Sequence, residues 1–437
     1  MSTVRQSGER KPAVGADAQE GQRATVKPSL SASLVLLAPL TSPTADGFDY
    51  RVLLLKRHAK SRTYDSAHVM PGGNIDPIDQ DSTAWSSFFP SPAQDVQQLA
   101  TDSSRLTAPE LQALKLCALR ETFEESGLLL LEPAEPSLVS SVAKKLLPSS
   151  LTGGAPIASP QQTWAALPVA KKLYWREEVH RDGKRFVDLL RSLGADAKPA
   201  LSLLTHWSNW VTPTVLPRRF DTHFFIAVLP PSASPLATEG TGSGTTHEAL
   251  VSSDGVETTS ADWLTPAEGV RRALAYSYAL AHGSPATSAT AASAAQETPI
   301  ILHPPQFNLL AELGQSHRSL RSLLDSSRSE QPMSGQMLVR PRRVYPFTPQ
   351  VAAVTDDLGR KRRATVLPGD EVYKYDNAED EHLSGPGQRN RTYVLPPLKG
   401  QQGLVVEGCM RQGVSRTLGF GWEDMTAGDH GSSSPKL

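Results

Sequence analysis

The chain has 437 residues, and its 44 Lys and Arg nearly balance its 45 Asp and Glu, which gives a net charge of −1. This balance argues against a strongly basic nucleic-acid-binding or membrane-surface protein, and the apolar runs are too short to span a bilayer. Two cysteines exclude a disulfide framework, so the composition fits a soluble intracellular protein of one large or two modest domains.

The first part of the chain predicts a leader followed by two strands. Residues 1–28 are polar and lack periodicity, so we expect a disordered leader. The β-prone runs SASLVLLAPL and YRVLLLKR follow, and the turn-rich TSPTADGFD between them predicts that they pair. The segment from residue 79 onward is rich in Ser, Asp, Gln and Pro, which indicates an insertion near 80–109.

A long helix is predicted in SRLTAPELQALKLCALRETFEES. Apolar residues recur there at roughly helical spacing, namely Leu111, Leu114, Ala118 and Phe123. Thr107 is a candidate N-cap, and Glu110 three residues later completes a capping box. Gly127 is the residue at which we expect the helix to stop.

The second half of the chain predicts a helix, a strand and several loops. YWREEVHRDGKRFVDLLRSLG has the pattern of one amphipathic helix ending at its glycine, and RRFDTHFFIAVLP that of a strand. Low-complexity sequence near 231–256 and 283–298 predicts exposed loops. Short apolar runs with Gly and Pro turns then predict a β-rich C-terminal extension with a flexible tail over 327–437, beyond a main domain at 29–326.

Three glutamates lie close together in the predicted helix. Glu121, Glu124 and Glu125 share one face, near a helix C-terminus where the dipole disfavours anions. A solvated acidic face is the ordinary explanation of such a group. A divalent cation offers another, because clustered carboxylate oxygens are what Mg²⁺ or Mn²⁺ requires. Arg120 is spaced to pair with Glu124 and to offset part of the repulsion.

The upstream segment HVMPGGNID favours the second explanation. Gly72 and Gly73 let backbone groups approach a ligand closely, because no side chain intervenes. A loop that offers backbone groups, together with a helix that offers carboxylates, suits a metal–diphosphate complex.

These two segments resemble the Nudix hydrolases, whose box reads G-x5-E-x7-R-E-U-x-E-E-x-G-U, where U is a bulky apolar residue. The second half of the box is matched by Arg120, Glu121, Glu124, Glu125, Gly127 and Leu128, with Thr122 at the first U. The first half is matched by Gly73, but Asp79 stands at the glutamate. Residues 80–119 replace the seven positions of the box, so a long insertion splits it.

The resemblance implies an α/β fold, with a Nudix-type mixed β-sheet sandwiched between helices, long loop insertions and the C-terminal β-rich extension. It also implies a diphosphatase that holds Mg²⁺ or Mn²⁺ through Glu121, Glu124, Glu125 and the Gly73 carbonyl. Arg120 would belong to the same catalytic set.

The segment before the box resembles a subfamily signature. Coenzyme A diphosphatases carry L-L-T-x-R-S-x3-R-x3-G-x3-F-P-G-G, and this chain reads LLLKRHAKSRTYDSAHVMPGG. Arg57, Arg62, Gly72 and Gly73 fall at the same spacing and are implied to bind substrate, although several other positions depart from the signature. Two such arginines can engage phosphate oxygens bidentately, and the alternative is that both are ordinary surface residues.

The rest of the chain resembles the eukaryotic acyl-CoA diphosphatase branch, through the split box and the later segments NWVTP and DWLTPAEGV. Glu257 is a candidate further metal ligand or catalytic base, and a loop glutamate is the alternative. The resemblance implies cleavage of coenzyme A or acyl-CoA to 3′,5′-ADP and (acyl-)4′-phosphopantetheine. The alternatives are hydrolysis of another diphosphate, such as ADP-ribose or NADH, or a non-catalytic Nudix-fold binding protein.

Several single residues have structural explanations. Cys117 lies on the side of the predicted helix that should be buried, so we expect a small core residue. Asp221 is expected to pair with Arg218 or Arg219. The lone histidines are expected to be structural or to line a binding site, namely His58, His68 and His223.

The last three residues, Pro435, Lys436 and Leu437, resemble the Ser-Lys-Leu peroxisomal signal at two positions of three. We therefore expect a peroxisomal location reached through the import receptor, with mitochondrion and cytoplasm as alternatives. No nucleic-acid partner is expected.

Overall fold

The computed structural model describes residues 26–58, 66–89, 106–132, 159–214, 216–230, 258–282, 298–324, 344–376, 384–395 and 404–412. An eight-stranded mixed sheet lies at its centre. Its strands are β1 (Ser29–Pro39), β2 (Tyr50–Arg57), β3 (His68–Val69), β4 (Gly72–Asn74), β5 (Thr205–Val211), β6 (Phe220–Val228), β7 (Thr258–Leu264) and β8 (Pro346–Phe347). The order is β3-β2-β1-β6-β5-β8, and in addition β4 pairs with β1 and β7 with β2.

Strands β1 and β2 pair as predicted, but only over a short stretch. They are antiparallel from Leu37↔Val52 to Pro39↔Tyr50. Beyond that point β1 pairs with β4 instead, and β2 pairs with β3. The segment that contains Gly72 and Gly73 therefore fills the gap where β1 and β2 separate. This places the two glycines near the middle of the sheet rather than in a surface loop.

Helices cover both faces of the sheet. Their bounds are α1 (Ser82–Trp85), α2 (Ala108–Ser126), α3 (Pro160–Ala166), α4 (Val169–Arg181), α5 (Lys184–Ser192), α6 (Pro266–His282), α7 (Pro304–Ser316) and α8 (Leu320–Leu323). Leu34 and Leu36 of β1 point into the core cluster shared with α2, α4 and α5, whereas Val35 and Leu37 point into the cluster shared with α6 and α7. Because both faces are buried, β1 is apolar at successive positions instead of alternating.

The C-terminal extension forms a second, antiparallel sheet in the order β12-β11-β10-β9. Its strands are β9 (Gln350–Thr355), β10 (Lys361–Val366), β11 (Arg389–Val394) and β12 (Val406–Gln412). Strand β12 lies against α6 and α7, and Val394 and Val406 belong to the same core cluster as Leu310 of α7. The predicted β-rich extension is therefore confirmed, and it packs on the main domain. The boundary at residue 327 stays a prediction.

One expectation from the sequence needs correction. The single helix predicted after residue 173 is two helices, α4 and α5, which break at Asp182 and Gly183. The carboxylate of Asp182 accepts a hydrogen bond from the Lys184 N–H, which starts the second helix. The first part of the predicted insertion near 80–109 packs into the core, because Trp85 and Phe88 are buried and the Trp85 ring packs on Phe186.

The fold class is confirmed: helices sandwich a mixed sheet, and a β-rich extension follows. In the stretches described above, no helix combines the length and the hydrophobicity needed to cross a membrane. The predicted leader up to residue 25, the loop at 231–256 and almost all of the loop at 283–298 lie outside the described residues.

Candidate active site

Helix α2 has the ends that its sequence predicts. The carboxylate of Glu110 accepts a hydrogen bond of 2.8 Å from the N–H of Thr107, the N-cap residue. Gly127 adopts a left-handed conformation, with φ 78°, and its N–H donates to the carbonyl of Phe123 at 2.8 Å. A left-handed residue ends a helix at little cost only when it is glycine. These caps fix the register that places the three glutamates in the last two turns.

Arg120 lies at the centre of the acidic cluster and is buried. Its Nε and Nη2 donate to the two carboxylate oxygens of Asp79, at 3.0 and 2.9 Å. Its Nη1 donates to Glu121 at 3.0 Å and to Glu124 at 2.7 Å. Nη2 also donates to the Asn74 carbonyl at 3.2 Å. One guanidinium thus joins both halves of the split box and orients three carboxylates.

The two glycines approach the helix closely, as predicted. The Gly72 N–H donates to Oε2 of Glu125 at 2.9 Å. A Cβ added at Gly73 would lie 2.5 Å from the Glu121 carboxylate, so only glycine leaves room for that group. A Cβ at Gly72 would lie 2.4 Å from the Ala32 carbonyl oxygen. Gly72 therefore allows the close contact of β4 with β1, and Gly73 leaves room for the Glu121 carboxylate in its observed position.

Burial and charge repulsion act on Glu121. Burial raises the pKa of its carboxyl to about 7, while Arg120 acts against this and the nearby Glu124 carboxylate acts with it. The cluster contains four carboxyl groups: those of Asp79, Glu121 and Glu124 contact the Arg120 guanidinium, and that of Glu125 contacts the Gly72 N–H. It therefore carries excess negative charge in a largely buried place, where a cation would lower the electrostatic energy.

The donor set fits a hard divalent cation in its chemistry, because carboxylate and carbonyl oxygens are the ligands that Mg²⁺ and Mn²⁺ take. In the described part of the chain, however, no three His, Cys, Asp or Glu side chains are arranged as a metal site. Arg120 lies between Glu121 and Glu124 instead. The Gly73 carbonyl lies 3.6 Å from the Cys117 sulfur, in the contact between β4 and α2.

Helix α4 contributes residues that the sequence analysis did not select. The buried Arg176 donates to the main-chain carbonyls of Glu124 and Glu125. His180, one helical turn further on, has its Nδ1 3.8 Å from Oε2 of Glu124. Gly183 follows, and a Cβ there would lie 3.4 Å from Arg120 Cδ. The signal that could have found Arg176 is its place on the same face of α4 as the buried Val179.

The remaining predicted site residues are Arg57, Arg62 and Glu257. Arg57 ends β2, where it pairs with Thr258 of β7, and its main-chain N–H donates to the Ala67 carbonyl at 2.8 Å. Arg62 and Glu257 lie outside the described residues, as does the tripeptide at the C-terminus. The assignment of these residues to substrate, metal or base remains a prediction.

The other single residues are structural. Cys117 is fully buried, as predicted, and burial raises the pKa of its thiol. The expected ion pair of Asp221 with a neighbouring arginine is wrong: Asp221 accepts a hydrogen bond of 2.6 Å from Asn209 Nδ2, while Arg219 donates to the Thr212 carbonyl. The Nδ1 of the buried His223 lies 3.1 Å from Nε2 of His206 on the adjacent strand.

Comparison with known proteins places this cluster in a family context. A family model described as NUDT19 Nudix domain matches residues 29–277. Three relatives named acyl-coenzyme A diphosphatase NUDT19 are similar to the chain. The Xenopus laevis protein is 34% identical over 242 residues, covering 51% of this chain and 54% of that protein. The Gallus gallus protein is 33% identical over 210 residues, with 43% and 51% covered. The Homo sapiens protein is 32% identical over 228 residues, with 47% and 54% covered.

The chain therefore spans about half the length of the curated relatives it matches. Among solved structures, one titled as a NUDIX hydrolase from Alicyclobacillus acidocaldarius is 20% identical, with a TM-score of 0.36, and covers 66% of this chain and 92% of that chain.

Proposed function

The chain belongs to the NUDT19 Nudix domain family, and on that premise we propose that it hydrolyses the diphosphate bond of coenzyme A or acyl-CoA. The products would be 3′,5′-ADP and (acyl-)4′-phosphopantetheine. The family membership confirms the Nudix resemblance predicted from the sequence. The substrate is proposed because three relatives bear the name acyl-coenzyme A diphosphatase.

One observation supports the proposal most directly. Asp79, Glu121, Glu124 and Arg120 form a single hydrogen-bonded cluster beside the glycines of β4, although a long insertion separates the two halves of the box. A non-catalytic descendant of the fold would not need this cluster. Its buried negative charge is unfavourable for folding unless it serves to hold a cation.

The residues of the cluster have separable roles. Arg120 orients Glu121 and Glu124 through one nitrogen, and the Gly72 N–H orients Glu125. Held in these positions, a carboxylate can accept the proton of the water that attacks phosphorus, and the P–O–P bond then breaks. Glu257 remains a second candidate for this base.

Glu121, Glu124, Glu125 and the Gly73 carbonyl would hold the divalent ion, which we propose to be Mg²⁺ or Mn²⁺. When bound, such an ion neutralises charge on the diphosphate oxygens and lowers the pKa of a coordinated water. We further propose that Arg57 and Arg62 bind phosphate oxygens of the substrate, because their spacing matches the coenzyme A signature.

The test is mass spectrometry of the products after incubation with Mg²⁺ or Mn²⁺ and a panel of coenzyme A, several acyl-CoAs, ADP-ribose and NADH. Glu125→Gln is the test variant, and Glu110→Gln at the exposed, opposite end of α2 is its matched control. We expect 3′,5′-ADP from wild type and from the control, and none from Glu125→Gln. Cleavage of ADP-ribose or NADH alone would replace the coenzyme A assignment, and no cleavage of any compound would favour the binding-protein alternative.

A peroxisomal location stays part of the proposal, supported by the tripeptide Pro435-Lys436-Leu437. The full chain carrying an N-terminal fluorescent protein should enter peroxisomes, and its Lys436→Glu variant should not. Import of both proteins would show that the tripeptide is not the signal.

A further inference from the structure

Helix α4 packs across the C-terminal end of α2. Its Arg176 is only 6% exposed. The Nε of Arg176 donates to the Glu124 carbonyl at 2.7 Å, and its Nη2 donates to the Glu125 carbonyl at 2.5 Å. The fork of one guanidinium therefore spans the backbone of the two glutamates whose side chains belong to the acidic cluster.

These carbonyls lie where a helix needs outside donors. Helix α2 ends at Ser126, so its last four carbonyls cannot find N–H groups within the helix. Gly127 supplies a donor to Phe123, and Arg176 supplies donors to the next two carbonyls. The positive charge of Arg176 also interacts favourably with the negative C-terminal end of the helix dipole, where the glutamates add further negative charge.

The position of this last turn determines where the side chains of Glu124 and Glu125 leave the main chain. The Glu125 carboxylate is held by the Gly72 N–H, and that of Glu124 by Arg120, so both side chains are anchored at their far ends. Arg176 anchors the same residues at the main chain. Because a small shift of the last turn would move both carboxylates together, the precision of the cluster depends on this anchor.

We infer that Arg176 is a positioning residue for Glu124 and Glu125, supplied by a helix outside the Nudix box. This inference rests on the proposed function, in which those carboxylates hold the cation. It differs from simple helix packing in one respect. A packing residue affects stability alone, whereas a positioning residue also affects cation binding and turnover by the folded protein.

The experiment compares wild type with Arg176→Ala, Arg176→Lys and Arg181→Ala. Arg181 lies on the same helix with a side chain that is 62% exposed, which makes it the matched control. Three measurements are made on the full chain. The first is Mn²⁺ binding, from the loss of the free-ion electron paramagnetic resonance signal. The second is the kinetics of coenzyme A cleavage, as kcat and KM, and the third is the melting temperature. The measurement of Mn²⁺ binding does not depend on catalytic activity.

We expect Arg176→Ala to weaken Mn²⁺ binding and to lower kcat, each by about tenfold or more, at temperatures where it remains folded. The control, Arg181→Ala, should match wild type in both Mn²⁺ binding and kcat. Arg176→Lys keeps the charge but cannot donate to both carbonyls in a fork, so an intermediate loss is expected. If the alanine variant does not fold, the lysine variant decides the question.

A folded Arg176→Ala with wild-type Mn²⁺ affinity and kcat, and only a lowered melting temperature, would overturn the inference. If the alanine variant fails to fold, a lysine variant equal to wild type in all three measurements would also overturn the inference. If wild type cleaves no coenzyme A, the proposed function fails, but weaker Mn²⁺ binding by the variant would still support positioning.

Discussion

Arg120 and Asp79, 41 positions apart in the chain, form a buried bidentate ion pair with nitrogen–oxygen distances of 3.0 and 2.9 Å. The pair brings the two halves of the split box into contact, because Asp79 stands where the motif has its first glutamate. The insertion between them leaves this contact intact, since its first part packs into the core through Trp85. Asp79 thus acts as a partner of the arginine that orients the other carboxylates.

Asp79→Asn should destabilise the protein and reduce turnover. Arg120 keeps Glu121 and Glu124 as partners, so the cost is that of weakening its two buried hydrogen bonds to Asp79, roughly 2 kcal/mol of unfolding free energy. Arg120 would also lose the group that sets its orientation, so kcat for coenzyme A should fall. Urea unfolding and steady-state kinetics measure these effects. Asp81→Asn, at an exposed helix cap, is the control and should stay within about 0.5 kcal/mol. Equal stability of both variants would contradict the assigned role.

Gly73→Ala should impair activity more than stability. The added Cβ would lie 2.5 Å from the Glu121 carboxylate, which ends a flexible side chain and can move away. A displaced Glu121 would leave the cluster, so we expect kcat to fall by about tenfold or more while the melting temperature changes little. In the control, Gly385→Ala, the nearest atom to the new Cβ is 3.6 Å away, an ordinary contact. Wild-type kcat in Gly73→Ala would argue against a role of Glu121.

Acid should destabilise the protein partly through His223. Burial lowers the pKa of this histidine to about 4, although the Asp221 and Glu110 carboxylates oppose the shift. Between pH 6.5 and 4 the unfolded chain binds the proton more readily than the folded protein does. The unfolding free energy therefore decreases as the pH is lowered through this range, by up to ~1.4 kcal/mol per pH unit.

Unfolding by urea at pH 7 and pH 5 tests this pH dependence. His223→Gln should lose less stability between the two values than wild type, and the exposed His282→Gln should behave like wild type. An unchanged pH dependence in His223→Gln would rule out the assignment to His223.

The C-terminal sheet should depend on one buried ion pair. Asp370 accepts hydrogen bonds from Arg391 at 2.7 and 2.8 Å, and both side chains are almost completely buried. Asp370→Ala removes the bidentate partner and leaves the guanidinium with the longer contact to Glu371, at 3.2 Å, so it should cost about 3 kcal/mol. Asp357→Ala, which removes a partner of Arg389 at the surface, should cost less than about 1 kcal/mol.

Chemical denaturation followed by circular dichroism measures these two variants. Because Val394 and Val406 share a core cluster with the main domain, we expect a single transition shifted to lower denaturant. A separate early transition in Asp370→Ala would show that the extension unfolds on its own.

Local patterns in the sequence were enough to predict helix α2 and the shared face of its carboxylates. Thr107, Glu110 and Gly127 mark its ends, because capping depends on residues within one turn. The shared face of Glu121, Glu124 and Glu125 follows from helical spacing alone. The paired strands β1 and β2 and the strands of the extension were likewise predictable from short apolar runs between turn residues.

The contacts of charged side chains with distant parts of the chain required the tertiary structure. The sequence does not reveal that Asp79 meets Arg120, that Arg176 reaches the end of α2, or that Asp221 bonds Asn209 instead of an arginine. A charged residue has many possible partners in a chain of this length. Which one it meets depends on how separate elements pack around a common core, because long-range proximity arises from burial and has no local period.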